Sequence, residues 1–185
     1  MDRPKNFDKM LEASSMDPLR LGGHQLSILG VTEATNSYGE DMIVIQVDCD
    51  KTDDQAGQFS KLYELDGRLD KKWPMVGTQY ISVVDGFTGQ CSRPFAAFVA
   101  AVVKSNPGFQ VDWDAPDWGA QFSGLKVGGV FGRVETDWNG EAHMRTELRW
   151  FCGIDQVESA PVPKEKLLKA DTPMATTFRK KHPAV

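Results

Sequence analysis

Residues 92–108 have the sequence SRPFAAFVAAVVKSNPG, and they predict the helix that decides the fold class. Ser92 can cap its start, Pro94 fits its first turn, and the Asn-Pro-Gly run at 106–108 ends it. The larger apolar residues follow the i, i+3, i+4, i+7, i+8 spacing of an amphipathic helix, at Phe95, Phe98, Val99, Val102 and Val103. We therefore predict one amphipathic helix over residues 95–104.

Two strands are predicted early in the chain. Residues 25–35 are rich in β-formers but include Gly30, and a glycine inside a strand pattern indicates a bulge or sharp curvature. Residues 42–47 (MIVIQV) form a β-branched run of strand length. Before these strands, residues 1–20 predict a loose arm or one short helix over roughly 5–14.

A third strand is predicted between the acidic loop and the helix. Residues 58–65 (QFSKLYEL) alternate, which places three side chains on one face: Phe59, Lys61 and Tyr63. Residues 80–84 are a further strand candidate.

The last two strands, at residues 125–136 and 142–152, form a hairpin. Asn139-Gly140 between them is a strong turn signal, and Gly128-Gly129 predicts a bulge. Phe131 and Arg133 share one face of the first strand. Alternation in the second strand separates a cationic face (His143, Arg145, Arg149) from a core face (Met144, Leu148, Trp150).

Three strands, a helix and two strands is the element order of an OB-fold, a five-stranded Greek-key barrel with one helix between strands 3 and 4. Glycines that curve the first and fourth strands fit a small barrel. We therefore expect a mainly β, OB-like barrel over residues 21–158, preceded by an N-terminal arm at 1–20. A basic, extended or disordered tail follows at 159–185.

Composition is that of one soluble globular domain. The chain has 185 residues, of which 41% are hydrophobic and 25% charged. Its three cysteines are odd in number and far apart, which argues for a reducing compartment. No apolar run is long enough to span a bilayer, and the N-terminus lacks a signal-peptide pattern. We expect a cytoplasmic protein of a bacterial host cell, with no membrane partner.

Charge is distributed unevenly along the chain. The formal net charge is −5, but residues 21–158 carry 20 acids and 11 bases, whereas residues 159–185 carry two acids and six bases. Much of the excess acid lies in residues 48–54 and 112–117. A neutral or mildly basic face elsewhere stays open.

Searches for catalytic and metal motifs find little. The P-loop pattern is absent, no two cysteines stand at zinc-ligand spacing, and the histidines (His24, His143, His182) are isolated. A Cys–His nucleophile pair stays open, although buried structural thiols are the simpler interpretation. The acidic loop lacks the glycine of a calcium loop, so we interpret it as solvated. We expect no enzyme, no cofactor and no metal.

Aromatic rings and cations recur together, which is the combination that a single-stranded nucleic acid requires. Each residue also has a structural interpretation: Phe59 and Tyr63 as core, Trp73 as a plug for the barrel end, and Arg145 and Arg149 as partners of nearby glutamates. Trp113 and Trp118 fit packing anchors better than ligands. The candidate site is Phe59, Lys61, Tyr63, Lys72, Trp73, Arg133, Trp138, Arg145 and Arg149.

Five short motifs lie between residues 20 and 158: Gly22-Gly23-His24, Phe59-Ser60-Lys61-Leu62-Tyr63, Ser105-Asn106-Pro107-Gly108-Phe109, Gly128-Gly129-Val130-Phe131 and Leu148-Arg149-Trp150. Together they resemble an uncharacterised family of phage and prophage proteins, usually assigned to single-stranded DNA binding beside replication and recombination genes. The resemblance implies an OB-fold that coats single strands. The basic run at 179–182 departs from the acidic tail with which many single-strand binders recruit partners.

These observations predict a sequence-nonspecific, single-stranded DNA-binding protein of phage or prophage DNA replication or DNA recombination. Its partners would be single-stranded DNA and replication or recombination proteins, and homo-oligomerisation stays open. One alternative is an OB-like protein-interaction or assembly module that uses the same barrel. Another is a metal-dependent phage nuclease that uses the acids Asp48, Asp50, Asp53 or Asp54.

Overall fold

The computed structural model describes residues 3–5 and 7–168. Within them the protein is mainly β, with one five-stranded antiparallel sheet in the order β3-β2-β1-β4-β5. The strands are β1 (Gly22–Thr35), β2 (Asp41–Cys49), β3 (Thr78–Ser82), β4 (Lys126–Trp138) and β5 (Glu141–Cys152). The α-helices are α1 (Phe7–Ser15), α2 (Gln58–Leu65) and α3 (Arg93–Ser105). Single 3₁₀ turns lie at Met75–Gly77, Gly119–Phe122 and Ile154–Gln156.

Helix α3 confirms the helix prediction. The Ser92 hydroxyl accepts a hydrogen bond from the Phe95 N–H (3.2 Å) and donates one to the Ser82 carbonyl (2.5 Å), which ties the helix start to the end of β3. Phe98 and Val102 are fully buried. The Phe98 ring packs on Phe151 of β5, with ring centroids 5.0 Å apart. The apolar stripe therefore holds α3 against the sheet.

The strand predicted at residues 58–65 is wrong, because these residues form helix α2. The helix follows Gly57, which has a positive φ of 68°. Its first N–H groups are bound by a side chain from the end of β2: the Asp48 carboxylate accepts from the N–H groups of Phe59 (2.8 Å) and Ser60 (3.2 Å). In a helix, Phe59 and Tyr63 share one face at i and i+4, and Lys61 lies on a different face instead of between them. The third strand is instead β3, which overlaps the candidate at 80–84.

The bulge that was one of the two predictions for Gly30 is confirmed, since the β1–β2 register shifts between Ile28 and Gly30. The bulge predicted at Gly128-Gly129 is wrong, because both residues pair with β1 without interruption. A Cβ on Gly129 would overlap the side chains of Leu26 and Leu148, so this glycine permits close packing.

A bulge in β5 changes which side chains near Trp150 face the core. The β4–β5 register shifts between Val130 and Phe131, because Val130 pairs with Trp150 and Phe131 with Leu148. Arg149 is the extra residue, and alternation restarts beyond it. Phe151 is therefore buried and Trp150 is exposed, so the core position predicted for Trp150 is wrong.

The chain after β5 continues to pack against the sheet. The Val157 carbonyl lies against Gly23 of β1. Lys166 pairs with β4, accepting from the Glu135 N–H (2.8 Å) and donating to the Arg133 carbonyl (3.0 Å). The described part of the predicted tail is thus extended and joined to β4, whereas residues 169–185, with the basic run at 179–182, lie outside the described residues.

The N-terminal segment forms the short helix that was one of two predictions for it, and α1 is exposed along its length. Leu19 packs against the core, and the Asp17 and Pro18 carbonyls accept hydrogen bonds from the side chains of Gln58 and Gln55. Among the described residues, no helix has the length and apolar character to cross a membrane.

We predict that Gly23→Ala destabilises the protein, whereas Gly30→Ala does not. A Cβ at Gly23 would overlap the Val157 backbone, while a Cβ at Gly30 meets no heavy atom within 4 Å. Overpacking of this kind costs about 1–3 kcal/mol. Urea unfolding of both variants measures the difference, and equal stabilities would show that residues after β5 do not cover β1.

Candidate functional site

The two edges of the sheet approach each other across a cleft of about 200 Å³. Residues from the start of β3 and the preceding turn line one side (Met75, Val76, Thr78, Gln79, Tyr80), and residues of β5 line the other (Arg145, Thr146, Glu147). We call this the edge cleft. The Tyr80 ring is 55% exposed beside it.

The β4–β5 hairpin extends beyond the rest of the sheet. Its pairing with β1 ends at Phe131, opposite Gly22, and the hairpin continues to a turn at Asn139-Gly140, where both residues have positive φ. This confirms the predicted hairpin. We call residues 132–147 of this hairpin the arm, a name that from here on never refers to residues 1–20. Trp138, beside the tip, is 70% exposed.

The register divides the predicted hairpin cations between the two faces of the arm. Thr136 pairs with His143 and Val134 with Arg145, so His143 and Arg145 share a face with Trp138. Arg133 pairs with Thr146 and lies on the opposite face. The arm thus brings together an aromatic ring and two basic groups on one side.

These two basic groups have acidic neighbours. Arg145 forms an ion pair with Glu147, as the sequence interpretation allowed, and His143 Nε2 lies 3.7 Å from Glu141. All four side chains are partly or largely exposed, so a ligand phosphate can compete for Arg145.

Arg149 has a structural role at the bulge. Its guanidinium donates hydrogen bonds to the carbonyl oxygens of Lys164 (3.1 Å) and Arg133 (3.5 Å). It therefore helps to hold the segment after β5 against the arm.

The remaining predicted residues lie around α2. Phe59 is fully buried, with its ring centroid 5.9 Å from that of Phe131, so a base cannot reach it. Tyr63 and Trp73 are half-buried and pack together at 5.6 Å, and Trp73 Nε1 donates to the Val47 carbonyl (3.1 Å). Lys61 and Lys72 are exposed. Of these residues, only Lys61 and Lys72 are thus open to a ligand, whereas the three rings pack within the protein.

An aromatic pocket of about 590 Å³ lies beside the end of β1 and the start of β2. The rings of Trp113 and Trp118 stack at 5.7 Å there, beside Phe95. Trp118 is buried as an anchor, but Trp113 is 62% exposed. The buried Trp118 Nε1 has no hydrogen-bond partner among the described residues. Glu33 and Asp41 also line the pocket, so aromatic rings and carboxylates meet in it.

The prediction that the acidic loop is solvated is wrong for three of its four aspartates. Asp48 and Asp50 are buried, and the Asp53 side chain is 4% exposed. Asp50 accepts hydrogen bonds from the hydroxyls of Ser27 (2.5 Å) and Thr52 (2.6 Å) and from Lys126 Nζ (2.9 Å). These oxygens are committed to protein donors, which removes support for a nuclease site at Asp48 or Asp50.

The same contacts lower the pKa values of two carboxyl groups. Burial alone would raise the pKa of Asp50, but the hydrogen bonds from Ser27, Thr52 and Lys126 outweigh it and hold the pKa well below its ordinary value. Burial likewise opposes the hydrogen bonds from His24 and two backbone N–H groups at Asp53, whose pKa is lowered to about 2. Both groups are carboxylates at neutral pH.

The fold also brings His24 beside two residues that are distant from it in the sequence, Cys49 and Asp53. His24 of β1, Cys49 at the end of β2 and Asp53 of the loop place a ring nitrogen, a sulfur and a carboxylate oxygen within 4.8 Å of one another. Motif spacing misses this group because its first two members are 25 positions apart. Burial, with the charges of Asp53 and Asp48, raises the pKa of the Cys49 thiol to about 12, so Cys49 is no free nucleophile.

Comparison with known proteins gives no family assignment. No protein-family model matches the chain, and no curated protein matches it significantly.

We predict that Asp50→Asn destabilises the protein by roughly 1–3 kcal/mol at neutral pH, because it weakens the bonds from Thr52 and from the half-buried Ser27 and Lys126. Asp54→Asn is the matched control: this carboxylate is exposed and, among the described residues, forms an ion pair with Arg20 alone, so its removal should cost under about 1 kcal/mol. Thermal or urea unfolding of both variants measures the difference.

The pH dependence follows from the lowered pKa values. A carboxyl with a depressed folded-state pKa stabilises the fold fully above its unfolded value, near 3.8, and this contribution is lost as pH falls through the folded value. Wild-type stability should therefore fall steeply below about pH 4, and the fall should be shallower in Asp50→Asn. Parallel pH profiles for the two proteins would contradict the assignment.

Proposed function

We propose that the protein is an OB-like barrel that binds single-stranded DNA without sequence preference and without catalysis. Two features of the fold support the barrel. Strand β1 pairs with both β2 and β4, and the order β3-β2-β1-β4-β5 is that of a five-stranded Greek-key barrel opened between β3 and β5. The edges that such a barrel would close are the two sides of the edge cleft.

The observation that carries the binding proposal is the exposed Trp138 on the same arm face as Arg145 and His143. Tyr80 lies across the edge cleft from Arg145. Oligonucleotides bind OB-folds on the face of strands 2 and 3 and on the loops at its two ends, which include the 4–5 loop. We therefore centre the interface on Tyr80, Trp138 and Arg145.

Stacking supplies most of the affinity in this proposal. Each base on an aromatic ring contributes roughly 1–3 kcal/mol. The interface contains few cations. For a single strand, each phosphate that a cation neutralises adds only about −0.7 to the slope of log K against log salt concentration. Binding should therefore weaken with salt, but gradually.

The place of this activity in phage or prophage replication or recombination rests on the resemblance of the sequence motifs. Coating of single strands is the step that such a protein would perform there. Replication or recombination proteins are the expected protein partners.

We predict that a dT oligonucleotide quenches tryptophan fluorescence at low salt and that Trp138→Ala weakens its binding by about 5- to 150-fold, the equivalent of one stacked base. Tyr80→Ala should act in the same direction. The measurement is a fluorescence titration at two salt concentrations, with duplex DNA of the same length beside it.

Trp113→Ala is the matched control, since it removes an exposed tryptophan outside the arm and the edge cleft. Unchanged affinity in this variant would assign binding to the arm. Absence of quenching by dT at low salt, or equal affinity for duplex DNA, would contradict the proposal.

The aromatic pocket favours a second candidate, a protein-interaction module. Stacked tryptophans attract cations over their ring faces, and Glu33 and Asp41 add negative charge. Such a pocket suits a lysine or arginine side chain of a protein partner and repels DNA phosphates.

We predict that a short arginine-rich peptide binds the wild-type chain and that Trp113→Ala abolishes detectable binding, because the variant lacks one of the two stacked rings. Isothermal titration measures it, with Trp138→Ala as the control variant. Equal binding by wild type and Trp113→Ala would sink this second candidate.

A further inference from the structure

The buried group of His24, Cys49 and Asp53 has an unusual hydrogen-bond arrangement. His24 is fully buried, and Nε2 lies 2.8 Å from the Arg20 carbonyl, which can only accept. Nε2 therefore carries a hydrogen. On the other side of the ring, Nδ1 lies 3.0 Å from Oδ1 of Asp53.

The Asp53 carboxylate is also an acceptor. It already accepts hydrogen bonds from the N–H groups of Gln25 (2.8 Å) and Gln55 (2.9 Å). The position between Nδ1 and Oδ1 must therefore hold a positively charged species, which is either a proton on the ring or a metal cation.

Cys49 favours a metal ion over a proton. A hydrogen bond between His24 and Asp53 needs no third group, whereas a metal ion would also be coordinated by Cys49 Sγ, which is buried within 4.8 Å of both ligand atoms. Nitrogen, thiolate sulfur and carboxylate oxygen together are a ligand set of zinc-class ions. A metal ion deprotonates a thiol that coordinates it.

The surroundings orient the ligands in the way that metal sites require. A histidine that binds metal through one ring nitrogen donates the other N–H to a carbonyl or carboxylate, as His24 does to Arg20. Backbone N–H groups fix the Asp53 carboxylate, and the His24 ring packs edge-on against Phe131 at 5.6 Å. The His24 and Asp53 side chains are thus held before any ion binds.

Asp53 is the member of the group that lines a cavity at the protein surface. A surface cavity of about 430 Å³ is lined by Asp53 and by neighbours that include Gly23, Gln25 and Thr52. We propose that His24, Cys49 and Asp53 form a binding site for one zinc-class divalent ion, whose fourth ligand is water from this cavity. The ion would join β1, β2 and the loop at 50–57.

The test is a titration of the purified full-length chain with Co²⁺, whose spectrum reports its ligands. We expect one equivalent to bind, with a sulfur-to-cobalt charge-transfer band that Zn²⁺ abolishes by competition. Cys49→Ser should lose this band and bind Co²⁺ at least about 100-fold more weakly, because removal of a ligand exceeds the 10- to 100-fold effect of an outer-shell partner.

Cys91→Ser and Cys152→Ser are the matched controls, since these thiols lie outside the group, and both variants should keep the band. Thermal unfolding is a second readout: Zn²⁺ should raise the Tm of wild type and leave that of Cys49→Ser unchanged. Absence of the band in wild type, its persistence in Cys49→Ser, or its loss in Cys91→Ser would overturn the proposal. None of these results depends on DNA binding.

Discussion

Three buried carboxylates from one short stretch hold the elements of this protein together. Asp48 binds the start of α2, Asp50 binds Ser27 of β1 and Lys126 of β4, and Asp53 binds His24 and the backbone of β1. Each bond joins groups that are distant in the chain. Loss of one partner would leave a buried charge or donor unsatisfied, which is costly in a protein interior. The loop at 48–54 is therefore a structural junction.

This junction changes what the net charge says about function. A strongly acidic segment argues against a nucleic-acid ligand when its charges are solvated. Here Asp50 faces the ammonium group of Lys126, and Asp48 and Asp53 accept several N–H groups. These three carboxylates are thus removed from contact with solvent, although the net charge is unchanged, and the arm presents Arg145 and His143 beside Trp138.

Local patterns predicted the elements whose signals are local. Helix α3 has its cap, its apolar stripe and its stop within 17 residues, and the arm has its Asn-Gly turn between alternating segments. Helix α2 was missed because its cap is Asp48, ten residues before the helix. The bulge at Arg149 has no sequence signal, yet it moves Trp150 out of the core. The group of His24, Cys49 and Asp53 could not be predicted without the fold, because the pairing of β1 with β2 brings His24 beside Cys49.

The candidate surfaces differ in the polar groups that surround their rings. The aromatic pocket combines tryptophans with carboxylates, whereas the arm combines Trp138 with Arg145 and His143, each of which lies beside a glutamate. The His24 group lies at the base of that arm: His24 packs on Phe131, where β4 leaves β1. An ion at His24 would stiffen the strand pair from which the arm extends. Under the proposed function, a stiffer arm would lose less conformational freedom when a single strand binds.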